Sequence, residues 1–328
     1  MRKHLLAIAV ILTVATGCDN VAWGGIDLTL KAPPPSSRGR TAAVSVDEDP
    51  PPDNFDGPIL LAGVRDGSRA EFVVVGEVHP DELRVFPDPN FPEDVDRLSR
   101  IATPGSEWIL FSEGVRIGRM VVDATQRAPE FCGSPTTLSG VIEVVPTAAA
   151  AERLLALPTG TTAGRPYEDY RPISHVYDQR VATNRLATEA IPEYGATWPR
   201  LGVLDARKHI QAFQIRNAQL QSVAATFMNQ DELDVSSPGQ GAYSLFVIGR
   251  QVGEEYQRAY VSYRSVEADG KGAPRYFDHL DWDGDGTDEI LLDVFGANRR
   301  WFAALSSRDG SWIRTFQSSC GSGGGAGS

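Results

Sequence analysis

The chain has 328 residues, with 43 Asp+Glu against 31 Lys+Arg, a formal charge of −12 and a pI near 4.9. With 41% hydrophobic and 23% charged residues it is neither a wholly disordered chain, nor a collagen-like one, nor a polytopic membrane protein, and it is long enough for one large domain or two smaller ones. The acidic balance, with no basic stripe, excludes nucleic acid as a partner, because phosphate contacts need clustered Lys and Arg.

Residues 1–17 open with Arg2, Lys3 and His4, continue as an apolar run and end at Gly17 before Cys18. The run is too short to cross a bilayer core of roughly 30 Å, and the pattern is that of an export signal. Ala15-Thr16-Gly17-Cys18 resembles the bacterial lipobox, which implies cleavage before Cys18 and lipidation of that cysteine. Each buried methylene of an acyl chain contributes about 0.8 kcal/mol, so a multiply acylated Cys18 would hold the chain at a membrane. Cleavage removes Arg2 and Lys3 and no acid, taking the formal charge from −12 to −14. Such a chain should stand off from an anionic surface. Asp19 resembles the signal that keeps some enterobacterial lipoproteins on the inner membrane. That rule differs between bacterial groups, so the membrane and the face stay open.

Residues 18–56 then read as a lipidated cysteine with a Pro-rich tether. Pro33-Pro34-Pro35 and Asp47-Glu48-Asp49-Pro50-Pro51-Pro52 bracket a stretch of low apolar content, and prolines with like charges extend a chain. From residue 57 the pattern becomes short apolar runs punctuated by turns. Runs 59–64 and 71–75 flank Asp66-Gly67, and runs 108–111 and 115–122 flank Glu113-Gly114. Runs 256–265 and 273–277 flank Asp269-Gly270, and runs 301–305 and 312–316 flank Asp309-Gly310. β-branched or aromatic runs around Asp-Gly predict hairpins, hence a mainly β protein of antiparallel strands, with α+β as the variant. Residues 147–157, TAAAAERLLAL, predict a short helix capped by Thr147 and stopped by Pro158; residues 93–101 predict another, entered through Pro92. Between 158 and 199 periodicity fades. A boundary near residue 200 divides a β-rich region with short helices (57–200) from a second β-rich region (201–320), followed by a flexible Gly/Ser tail (321–328).

Lipidation would consume one of the three cysteines, leaving Cys132 and Cys320, an even pair in an exported chain: a disulfide, or two free thiols.

The segment that carries chemistry is Asp281-Trp282-Asp283-Gly284-Asp285-Gly286-Thr287-Asp288-Glu289. Asp281, Asp283 and Asp285 alternate, and Gly284 and Gly286 permit the positive φ needed to curl the backbone so that their carboxylates converge. With Glu289 and the Thr287 carbonyl this makes a set of hard oxygen donors suited to Ca²⁺. An EF-hand would place its closing Glu at the twelfth position, here Leu292, and would continue as a helix; this loop instead runs into a strand-like segment. In closing early it resembles the calcium loops of the FG-GAP/VCBS family of integrin-type propeller blades. The resemblance covers about residues 277–317 and implies one propeller-blade-like unit. Its ligands would be Asp281, Asp283, Asp285, Glu289 and the Thr287 carbonyl, and its ion a structural brace. Arg299 and Arg300, a strand and a turn away, are candidates to offset the acidic cluster.

No H-E-x-x-H, G-x-S-x-G or P-loop pattern occurs. His79, in Val78-His79-Pro80, suits a turn. His279 is placed to pair with the acidic loop, and Asp231, Glu232 and Asp234 form an acidic group readable as an acid/base set or as a plain loop. No catalytic residues are assigned. The sequence therefore predicts an envelope-anchored lipoprotein with a non-enzymatic binding or scaffolding role toward an envelope protein or glycan. A hydrolase with a dispersed active site and an accessory subunit of an envelope complex are the alternatives.

Overall fold

The computed structural model describes residues 56–308, apart from 81 and 89, and residues 311–318. The signal peptide, Cys18, all of the tether but its last residue, Cys320 and the tail lie outside them. The protein is mainly β, built from antiparallel sheets with a few helices.

The first hairpin, β1 (Ile59–Asp66) and β2 (Arg69–His79), pairs out to Asp66 opposite Arg69. There follow β3 (Glu82–Arg84), α1 (Pro92–Ile101), β4 (Glu107–Ser112), β5 (Val115–Arg127), β6 (Thr136–Val144) and β7 (Arg153–Pro158). The strand order β1-β7-β4-β5-β6-β2-β3, with β1 also paired to β2, closes six strands into a barrel and leaves β3 at its margin. Inside lie Ile59, Leu61, Phe72, Val74, Leu110, Ile117, Met120, Leu154 and Ala156. Their neighbours Leu60, Ala62, Val73, Val75, Phe111, Leu155 and Leu157 point outward, yet they too are buried. That double burial explains the unbroken apolar runs of β1, β2 and β7, since a strand covered on both faces loses its alternation.

Two four-stranded meanders follow the 17-residue helix α2 (Tyr177–Glu193). The first is β8 (Arg207–Phe213), β9 (Ser222–Asn229), β10 (Tyr243–Val252) and β11 (Glu255–Ser265); the second is β12 (Ala273–Leu280), β13 (Glu289–Phe295), β14 (Arg300–Arg308) and β15 (Ser311–Gln317). The second meander is the central layer. Phe277, Leu291, Phe302, Ala304 and Phe316 pack on the outer wall of the barrel. From the opposite face, Tyr276, Ile290, Leu292, Ala303 and Leu305 pack on Phe213, Ala224, Phe246 and Ile248 of the first meander. The far side of that meander is covered by α2 through Leu186, Ala187, Ala190 and Ile191. The described residues form one compact unit.

Three local expectations change. Residues 147–157 are not a helix: a single 3₁₀ turn at Pro146–Ala148 gives way to strand β7. Leu154-Leu155-Ala156-Leu157 has the composition of either element, and burial between barrel core and outer wall selects the strand. Asp269-Gly270 does not close a hairpin; β11 and β12 belong to different sheets, and the turn carries the chain between layers. Helix α2 lies within residues 158–199, where the sequence periodicity fades. Its buried stripe is Ala182, Leu186 and Ala190 beside Thr183, Ala187 and Ile191, so small residues hide the apolar contrast on which a periodicity reading depends.

Cys132 is buried and disulfide-bonded, while Cys320, its expected partner, lies outside the described residues. The Cys132 amide donates to the Arg300 carbonyl (2.9 Å), and the Ser318 amide donates to the Phe302 carbonyl (3.0 Å). Among the described residues no helix is long and apolar enough to cross a membrane.

Candidate metal centres

The acidic loop joins the first two strands of the central meander. Gly284 (φ +82°) and Gly286 (φ +94°) take the left-handed conformation that L side chains avoid. The backbone curls around its own carboxylates: Asp281 Oδ1 accepts from the Gly284 amide (2.9 Å) and Asp281 Oδ2 from the Gly286 amide (3.2 Å). Asp283 Oδ1 accepts from the Asp285 amide (3.1 Å), and Asp285 Oδ1 from the Thr287 amide (2.6 Å). One carboxylate oxygen from each of Asp281, Asp283 and Asp285 lies within 4.8 Å of the other two. Glu289 is buried at the start of β13 and accepts from the Trp282 amide (3.3 Å). Burial, then the charges of Asp283, Asp285 and Asp281, push its carboxyl up to about 9. Acids gathered this closely repel one another, and a hard divalent cation would relieve that repulsion. The side chains that converge offer oxygen donors alone; Thr287 lies in the same curl, half-buried.

The cation that does approach the loop is Arg216, in the connection after β8. Its guanidinium pairs with Asp281, and its amide donates to Asp288 Oδ2 (2.5 Å). Arg300 instead pairs with the buried Asp293 (2.6 Å), which also holds Arg275 (2.6 Å), and sits over the Phe131 ring. The Asp231 group is structural as well: the buried Lys271 ammonium donates to Asp231 Oδ1 (2.7 Å) and to the Glu232 and Ser236 carbonyls. His79 pairs with Glu77 (2.9 Å).

A second cluster lies where the β4–β5 hairpin tip meets β12. Glu113 (φ +52°) and Gly114 (φ +67°) form the two-residue turn, with Ser112 opposite Val115. The turn presses flat on β12: a Cβ on Gly114 would lie 3.3 Å from the His279 ring and from the Arg165 guanidinium. The Glu113 amide donates to Asp278 Oδ1 (3.0 Å), which also accepts from the His279 amide (2.8 Å). A β-bulge at Phe277 resets the register of β12 just before these residues. His279 Nδ1 shares a hydrogen bond with the Tyr276 hydroxyl (2.6 Å) and lies 3.7 Å from Asp278 Oδ1 and 4.0 Å from Glu113 Oε2. Its Nε2 faces Asp288 Oδ2 at 3.7 Å. Burial, then the charge of Asp278, raises Glu113 well above the carboxylate range; burial raises Asp278 to about 7 and lowers His279 to about 4. Glu113, Asp278, Tyr276, Ser112, Arg153 and Tyr170 help to line a cavity of about 220 Å³.

His279 thus faces the acidic loop at Asp288 (3.7 Å, beyond hydrogen-bond distance) rather than at the three alternating aspartates. Glu113 and Asp278 carried no signal in the sequence, the first reading as turn chemistry and the second as one acid in a strand. The chain matches no family model, no curated protein and no solved structure.

Proposed function

We propose that the chain is a cell-envelope lipoprotein, held at a membrane through acylated Cys18, with a binding or scaffolding role and a structural Ca²⁺ in the loop 281–289. The partner class is an envelope protein or glycan. The observation that carries the calcium part is the convergence of Asp281, Asp283 and Asp285 in a glycine-curled loop with Glu289 buried beside them. Support for the FG-GAP/VCBS-like reading is the sequential four-stranded meander with this loop between its first two strands. A cation there would brace the central layer, against which both the barrel and the other meander pack. A hydrolytic role has one observation in its favour, the cavity with Glu113 and Asp278 in its wall.

Calcium is expected to raise the melting temperature by several degrees over protein in chelator, as any ligand of the folded state does. Asp283→Ala should abolish most of that difference and weaken Ca²⁺ binding by calorimetry. Identical melting curves for the wild type in chelator and in excess Ca²⁺ would sink the assignment. For the anchor, Cys18→Ser should move the protein from the membrane fraction to the soluble one, and unchanged sedimentation would remove lipidation from the account.

A further inference from the structure

We propose that Glu113, Asp278 and His279 form a second metal centre, distinct from the calcium loop and suited to a divalent transition ion such as Zn²⁺, Mn²⁺ or Fe²⁺. It stands on the geometry of this cluster alone and needs neither the lipid anchor nor an ion in the loop.

Three observations meet there. One donor atom from each residue lies within 4.8 Å of the other two. The acid pair is left incomplete: Asp278 Oδ2 and Glu113 Oε2 are buried with no hydrogen-bond partner among the described residues, and Asp278 is only 3% exposed. Such groups are costly to bury unpaired. The neighbouring guanidiniums do not fill the gap, since Arg165 donates to the Glu113 carbonyl (2.6 Å) and Arg153 to Gln211 (3.4 Å). Finally, the cluster is reachable, because Glu113 and Asp278 border the 220 Å³ cavity.

The donor chemistry chooses the ion. One imidazole nitrogen with two carboxylates is a borderline set, unlike the all-oxygen loop, and suits first-row transition metals better than Ca²⁺. Donors bound tetrahedrally at about 2.0–2.1 Å stand about 3.3 Å apart. The spacings of 3.7 and 4.0 Å from His279 Nδ1 therefore need to close by about 0.4 and 0.7 Å. Taking up the ion costs Nδ1 its bond to the Tyr276 hydroxyl. It leaves Nε2–H facing Asp288 Oδ2 at 3.7 Å, from which a small approach would make the carboxylate–histidine hydrogen bond that commonly backs a metal-bound imidazole. With three protein donors and a cavity alongside, a coordination position would remain for water or a small ligand.

The test uses Co²⁺ as the probe, added to purified protein already saturated with Ca²⁺ and followed by visible ligand-field absorption. One equivalent should bind in the wild type. Glu113→Gln and Asp278→Asn, both near-isosteric, should weaken binding by more than about 100-fold, since outer-sphere changes alone cost 10–100-fold. Asp283→Ala should leave the cobalt spectrum intact even as it loses Ca²⁺, which separates failure of this centre from failure of the loop. Far-UV circular dichroism and the melting transition establish that each variant is folded; if one is not, the other carries the comparison. The inference is overturned by absence of absorption in the wild type, by its persistence in a folded Glu113→Gln or Asp278→Asn variant, or by its loss in Asp283→Ala alone.

Discussion

Glu77→Ala is expected to destabilise the protein by about 3–5 kcal/mol, the usual cost of removing one partner from a buried ion pair. Glu77 has no exposed surface, although it lies on β2 beside the barrel margin. Its carboxylate holds Arg84 (2.6 Å), Arg97 and His79 (2.9 Å), and it accepts from the Gly57 amide (2.9 Å). Arg97 comes from α1 and also donates to the Gly57 carbonyl, so one side chain ties the start of the barrel, its marginal strand and its helix together. Truncation would remove the buried counter-ion that two guanidiniums share, one of them only 13% exposed, and leave Arg84 with Asp94 (3.0 Å) and Arg97 with the exposed Asp56 (3.2 Å). Denaturant unfolding measures the loss; a cost under about 1 kcal/mol would mean the network is not formed in solution.

The same residue has a pH signature. Burial alone would raise the Glu77 pKa, but hydrogen bonds from Arg97, His79 and Arg84 outweigh it and hold the group below the ordinary glutamate value of 4.5. A carboxyl lowered on folding stabilises fully above its unfolded pKa, and that contribution disappears as pH falls through the folded value. The stability gap between wild type and Glu77→Gln should therefore be constant above about pH 5 and close progressively below it. A gap unchanged down to acid unfolding would show that the carboxylate charge is not what holds the network.

Hairpins were legible where an Asp-Gly or Glu-Gly pair sat between two apolar runs of one sheet, as at 66–67 and 113–114, because the turn and the runs beside it are local. The β8–β9, β9–β10 and β10–β11 connections carry no such pair and gave no signal. Asp269-Gly270 misled for a non-local reason: nothing near it records that the next strand joins another layer. The run 154–157 misled because an unbroken apolar stretch has no period, and only the wall it packs against decides its conformation. At the sites the division is similar. Asp281, Asp283, Asp285 and Glu289 lie within nine residues and announce themselves by spacing. Glu113 and Asp278 are 165 residues apart and meet only because the hairpin tip docks on β12. A lone Glu-Gly turn carries no mark of that encounter.

Phe213→Ala tests the packing that supports this meeting point. Phe213 ends β8 with no exposed surface; its ring stacks on Tyr276 (centroids 4.8 Å, 25°) and tilts against His279 (5.8 Å). It thus fills the layer between the two meanders directly behind the imidazole. Deleting a buried phenyl ring costs about 3–5 kcal/mol, through lost transfer free energy and the cavity left behind. The larger figure is expected, because neighbours drawn from two well-hydrogen-bonded sheets have little freedom to collapse inward. Phe213→Leu keeps most of the volume and should cost substantially less, so the ordering Ala far worse than Leu, with an unchanged denaturant slope, is the diagnostic result. Equal losses for the two would point to the stacked-ring geometry rather than volume as the source of stability. A loss below about 1 kcal/mol for Phe213→Ala would mean that the two meanders do not share this core, and the His279 imidazole would then have no rigid support for holding an ion.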